Sequence, residues 1–114
     1  MSESPPLVPG QEGYGTVYLV LDDFEQLGRA YREADEATAN AQGVIRDLVL
    51  GEFHRPVRVV AFNTEEGWSR DASVEIAKAV ADAADAQQRP LSRNTMAFLE
   101  RHLREDAIPH LSAI

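Results

Sequence analysis

"VVAFNTEEGWSRDAS", residues 59–73, passes from a β-branched apolar segment into a polar loop holding the only tryptophan, and then into a helix start. Its reading decides whether the preceding strand ends at a ligand site or at a well-capped turn. Working back from it, "VRVVAF", residues 57–62, has both alternating sets of side chains largely apolar; Arg58 is the one charged intruder, and Pro56 sits at the entry, where a strand tolerates proline. "TVYLVL", residues 16–21, reads the same way, with Val17, Leu19 and Leu21 as one set and Thr16, Tyr18 and Val20 as the other. Strands apolar on both sides are expected to be covered on both sides, so these two imply helices above and below a small sheet.

Between them Phe24, Leu27, Tyr31 and Ala34 recur at helical spacing, as do Ala41, Val44, Ile45, Leu48 and Val49, with "ADEAT" as the break and Gly51 as the stop of the second run. After the opening loop, Ile76, Ala77, Val80, Ala83 and Ala84 mark an alanine-rich amphipathic helix ending before Pro90. The last helix has the clearest start: Ser92 as N-cap, Leu91 before it and Met96 after it match a hydrophobic staple. Phe98, Leu99, His102 and Leu103 form its inner face, and Pro109 bars continuation. The expected fold class is α/β in the order β-α-α-β-α-α, a small sheet flanked by about four helices. If the two intervening helices form one crossover, the strands lie parallel; the even helix count also permits an antiparallel pair.

Residues 1–15, rich in proline, glycine and small polar residues, read as a disordered tail. Residues 16–108 form a single domain and 109–114 a C-terminal tail. Two strands alone would leave both sheet edges bare, so an edge must be covered by the tail, by a third strand within "EFHRPV", or by a second copy. Isologous pairing is the commonest solution, which predicts a homodimer.

The chain of 114 residues has 44% hydrophobic residues and a net charge of −8. Its basic residues are scattered singly, so it lacks the footprint of a nucleic-acid binder. With no cysteine there is no disulfide framework, thiol nucleophile or thiolate metal site. No apolar run approaches the ~18 residues of a membrane span, and "MSESPPLVPG" lacks the pattern of a signal peptide. These features point to a cytoplasmic protein with no nucleic-acid or membrane partner.

In parallel sheets ligands favour the crevice at the carboxyl ends of the strands. Parallel neighbours would gather Asp22, Asp23, Asn63, Thr64, Glu65 and Glu66 at one rim, a set of oxygen donors suited to magnesium. Against this, Asp22 with Glu25 and Asp23 with Gln26 have capping-box spacing, and helix capping is the favoured reading. Paired aspartates at a strand end also bring phosphoacceptor receiver domains to mind, but the later strands and a strand-borne lysine are missing, Lys78 being the sole lysine. Ser69, Asp71 and Ser73 compete to cap the helix after the loop. An anion beside Arg70 at that helix start is disfavoured by the two neighbouring glutamates. Trp68 either folds back over the domain edge, the favoured reading, or anchors a partner with Arg70. His54, His102 and His110 show no metal-ligand spacing, and the serine-nucleophile, P-loop and dinucleotide motifs are absent.

"TVYLVLDDF", "PVRVVAFNTEEGWSRDAS" and "FLERHL" resemble a group of short uncharacterised, mostly proteobacterial soluble proteins, over residues 16–104. The resemblance implies a bacterial, soluble, single-domain protein and carries no activity, cofactor or catalytic residue. The resulting expectation is a non-catalytic protein-binding or regulatory module without cofactor, a homodimer or bound to an unidentified protein. Trp68, Arg70, Glu65 and Glu66 are its contact residues and no residue is catalytic. The alternative is a magnesium-dependent phosphotransfer or phosphohydrolase-like activity using Asp22, Asp23 and Asn63.

Overall fold

The computed structural model describes residues 15–24, 28–32 and 40–103. Within them the order is β1 (Thr16–Asp23), β2 (Arg29–Arg32), α1 (Ala41–Leu50), β3 (Pro56–Asn63), β4 (Trp68–Asp71), α2 (Ser73–Ala86) and α3 (Arg93–His102). The strands form one sheet, β2-β1-β3-β4, in which every neighbour is antiparallel. The α/β class holds in this broad sense, while the number and order of elements differ from expectation.

Strand direction, left open between parallel and antiparallel, is settled first. β1 and β3 run antiparallel, from Thr16 opposite Asn63 to Asp22 opposite Pro56. A single helix, α1, lies among the described residues between β2 and β3, so no right-handed parallel crossover is needed. The first correction lies at Phe24–Ala34, where a helix was expected. Gly28 adopts φ 92°, the Phe24 amide donates to the Gly28 carbonyl at 2.8 Å, and Arg29–Arg32 returns as a strand with Tyr31 opposite Leu21. A glycine inside a helix costs about 1 kcal/mol relative to alanine; in a turn its left-handed conformation closes the hairpin and supplies a ladder to the β1 edge. Residues 25–27 and 33–39 of that segment fall outside the described residues.

The second correction concerns the edges. "EFHRPV" holds no separate third strand: residues 53–55 are bends, and Pro56 and Val57 belong to β3. The polar loop instead contains β4, joined to β3 through residues 64–67, with Gly67 at φ 76°. β2 and β4 therefore flank the central pair, so the outer edges of β1 and β3 are paired within the sheet and its edges are β2 and β4. Both expected tails lie outside the described residues except for Gly15.

α1, α2 and α3 pack on one sheet face, where Tyr18, Val20, Val59 and Ala61 join Val44, Leu48, Ile76, Val80, Phe98 and Leu99 in one buried cluster. The helix ends follow local chemistry. Asn40 accepts from the Gly43 amide at 2.8 Å, and Gly51 ends α1 at φ 76°, the expected stop. Ser92 caps α3 by accepting from the Thr95 amide at 3.2 Å, with Leu91 buried and Met96 packed against the core as the staple requires. The Thr95 hydroxyl donates to the Leu48 carbonyl at 2.9 Å, tying the start of α3 to the end of α1. Where β3 shifts register against β1, Val57 falls out of the ladder, and His102 Nε2 donates to its carbonyl at 2.7 Å.

The end of β4 is completed by a side chain. The Ala72 amide donates to the Val59 carbonyl at 2.8 Å, and the Val59 amide donates to the Ser73 hydroxyl oxygen at 2.8 Å. Ser73 thus serves the sheet. None of the three expected caps is the N-cap of α2, which is Ala72 and makes no side-chain cap bond; Asp71 accepts from the Ser73 amide at 2.8 Å one residue earlier, and Ser69 stays exposed on β4. Because both Val59 and Ser73 are buried, Ser73→Ala strands a buried amide and should lower unfolding stability by about 1–3 kcal/mol. Ser69→Ala, on the exposed side, should stay within about 0.5 kcal/mol. Urea denaturation of the two variants checks the difference.

Candidate functional site

The residues assigned to a magnesium rim do not meet. Antiparallel pairing puts Asp22 opposite Pro56 and Asn63 opposite Thr16. The two groups are therefore separated by the length of β3, about 23 Å at ~3.3 Å per residue. Among the described residues no group of three or more histidines, aspartates and glutamates is placed to hold a metal ion.

Each polar residue instead organises a turn at its own end. Asp22 is fully buried, and its carboxylate accepts from the His54 amide at 2.9 Å and the Arg55 amide at 2.7 Å. Stacking of Phe24 on the His54 ring, with centroids 5.8 Å apart, secures the same loop. Asp22 thus satisfies amides of the α1–β3 loop; the helix-capping reading of Asp22 and Asp23 is overturned, because β1 runs through both residues and the chain returns as β2. Asp23, at the sheet rim, pairs with Arg29 of β2 at 3.6 Å. At the other end Asn63, also buried, accepts from the amides of Glu65 and Glu66 at 3.0 and 2.9 Å and donates to the Thr16 hydroxyl at 3.1 Å. That fixes the four-residue hairpin loop and exposes Glu65 and Glu66 at its tip.

The proposed contact residues Trp68, Arg70, Glu65 and Glu66 do share this β3–β4 hairpin. Trp68 lies opposite Asn63 and Arg70 opposite Ala61, so both point to the helix side of the sheet. Trp68 is half-buried against the core, which is the fold-back reading, and its indole donates to Glu66 at 2.7 Å. The Arg70 guanidinium sits 5.6 Å from the centre of the Trp68 ring and forms an ion pair with Glu75 of α2, both side chains being largely buried. Glu66, Trp68, Arg70 and Glu75 thus form a chain of contacts that fastens β4 to α2.

The feature not foreseen as a site is the other side of the sheet. Val17 faces Phe62 across the ladder, Leu19 faces Val60, and Leu21 lies between Tyr31 and Arg58. None of these belongs to the helix-side cluster, and among the described residues no helix lies over them. Tyr31 is 48% exposed, Val17, Leu19, Val60 and Phe62 are half-buried, and Leu21 is buried. Ser69 and Asp71 of β4 close the patch on one side. The signal for this face was legible in the doubly apolar alternation of β1 and β3; what it lacked was knowledge that all three helices of the described residues choose the same side.

No family model, curated protein or solved structure matches this chain.

Removing the Asp22 carboxylate leaves two backbone amides without their acceptor. Asp22→Ala should therefore cost about 2–4 kcal/mol, against at most about 1 kcal/mol for Asp23→Ala at its partly exposed ion pair. Chemical denaturation with and without millimolar magnesium checks this. The expected inequality is the same under both conditions.

Proposed function

We propose that this protein is a non-catalytic protein-binding module whose contact surface is the side of its sheet turned away from α1, α2 and α3. The observation that carries the reading is the apolar strip of Val17, Leu19, Leu21, Tyr31, Val60 and Phe62 on a face with no helix over it among the described residues. Antiparallel sheets that turn one face to water ordinarily alternate apolar with polar residues. Here the set turned away from the helices is as apolar as the core-facing one, with Tyr31 exposed, Val17, Leu19, Val60 and Phe62 half-buried and Leu21 buried. Contiguous apolar surface of this kind marks interaction sites on folded domains. The Trp68 hairpin, whose arginine is engaged by Glu75 and whose indole is held by Glu66, stands at the rim and gives β4 its rigidity.

Two measurements test the reading. A photo-crosslinking residue in place of Phe62 should capture a protein chain in cells, while the same residue in place of Lys78, exposed on α2, should not. Equal capture at both positions, or none at Phe62, would overturn it. In dilute solution Phe62→Ser, at a half-buried position, should cost clearly less than Val59→Ser on the helix-covered face, which should cost about 3 kcal/mol or more. Equal losses would mean that the strip belongs to the folding core instead.

A further inference from the structure

Resting on that reading and deepening it, we infer that the exposed corner of this face around Arg58 and Tyr31 receives an acidic segment of a partner protein. A carboxylate of that segment closes on the Arg58 guanidinium, and an apolar neighbour packs against Tyr31.

Arg58 is the one charged residue inside the apolar run of β3. It is exposed, lies opposite Leu21 on the side turned away from the helices, and has Val60 two residues further along its own strand. The two aspartates nearest to it in register are engaged elsewhere. Asp23, two residues beyond Leu21 on β1, pairs with Arg29 at 3.6 Å, and Asp71, opposite Val60 on β4, accepts from the Ser73 amide at 2.8 Å. Arg58 itself makes no ion pair among the described residues. A guanidinium set beside apolar side chains, with no carboxylate of its own, is one half of a charge-assisted, bidentate contact.

Tyr31 stands on the far side of Leu21, opposite it on β2, and is 48% exposed. Two strand spacings separate it from Arg58, about 10 Å, the reach of about three residues of extended peptide. Tyrosine and arginine are among the residues that most often carry the energy of protein contacts. Charge then chooses the partner. One guanidinium balances one carboxylate, whereas a phosphate dianion calls for a second cation, and Arg29, the other strand arginine on this side, is held by Asp23. A basic segment would meet Arg58 as a like charge. Because the chain carries a net charge of −8, acidic surfaces are repelled by it at large, so an acidic partner is admitted in the one orientation that brings its carboxylate to this corner.

The test is a titration of the full chain, followed by its amide resonances, with a short capped peptide of glutamates interleaved with leucines. The amides of Tyr31, Arg58 and Val60 should shift, with a dissociation constant of about 0.1–1 mM for so small a contact, and the glutamine counterpart of the peptide should leave them unmoved. With far-ultraviolet circular dichroism unchanged, Arg58→Glu should weaken binding by about tenfold or more, and Arg58→Lys, which keeps the charge and loses the fork, by about threefold or more. Lys78→Glu, on α2, should change it by less than about twofold. No shift with the glutamate peptide, equal shifts with the glutamine one, equal shifts with inorganic phosphate, or binding that survives Arg58→Glu each overturns the inference. So does a chain that binds no peptide and in which Arg58→Glu moves the amides of Glu33, Asp35 and Glu36, since its own acidic segment then holds the corner. Capture at Phe62 without peptide binding at Arg58 overturns this inference alone; absence of both removes the contact-face reading with it.

Discussion

The antiparallel pairing of β1 with β3 is the constraint on which the rest of the molecule depends. It places Asp22 and Asn63 at opposite ends of the sheet, and each is then used where it lies. Asp22 gathers the amides of His54 and Arg55, and Asn63 those of Glu65 and Glu66. Both are buried polar groups, and a buried polar group is tolerable only with its hydrogen bonds made. The loops at the two ends are thus fixed by the residues that terminate the central strands. Oxygen atoms spent on backbone amides at two distant points do not make a cation site.

The same pairing sorts the apolar residues into two faces. Tyr18, Val20, Val59 and Ala61 meet α1, α2 and α3, while Val17, Leu19, Val60 and Phe62 look the other way. Side-chain alternation with period two makes this division strict, since a slip of one residue would exchange the faces. Register is pinned at several places by specific contacts. Ser73 bonds the Val59 amide, His102 bonds the carbonyl of the bulged Val57, and Arg70 ties β4 to Glu75 on α2. The result is a helix-covered layer of defined packing and a second apolar face over which no helix lies among the described residues.

Legibility was high wherever the signal was local. The two central strands, the Gly51 stop, the Ser92 cap with its staple and the inner faces of α2 and α3 all emerged from residue type and spacing, because caps, left-handed glycines and period-3.6 stripes are short-range chemistry. It failed where two local patterns competed. The spacing of Phe24, Leu27 and Tyr31 suits a helix, but a left-handed Gly28 and an unfilled ladder on β1 make a hairpin the better solution. "WSRD" reads as polar loop because an edge strand has little apolar content to announce it. Trp68 was legible as a fold-back residue, whereas its partners Glu66, Arg70 and Glu75 were not legible as one connected set.

By itself the sequence determined that two β segments are apolar on both sides, that the stripes at 41–49, 76–84 and 98–103 carry one apolar face each, and that cysteine-based and thiolate-metal chemistry is unavailable. Only the tertiary structure decided strand direction, and with it which end of the sheet receives each polar residue. It also decided that α1, α2 and α3 share one face. The physical reason is that hydrophobic periodicity records how much surface must be buried, not against what. An apolar alternate on a strand is satisfied equally by a helix, a second sheet or another molecule, and that choice is made by long-range packing.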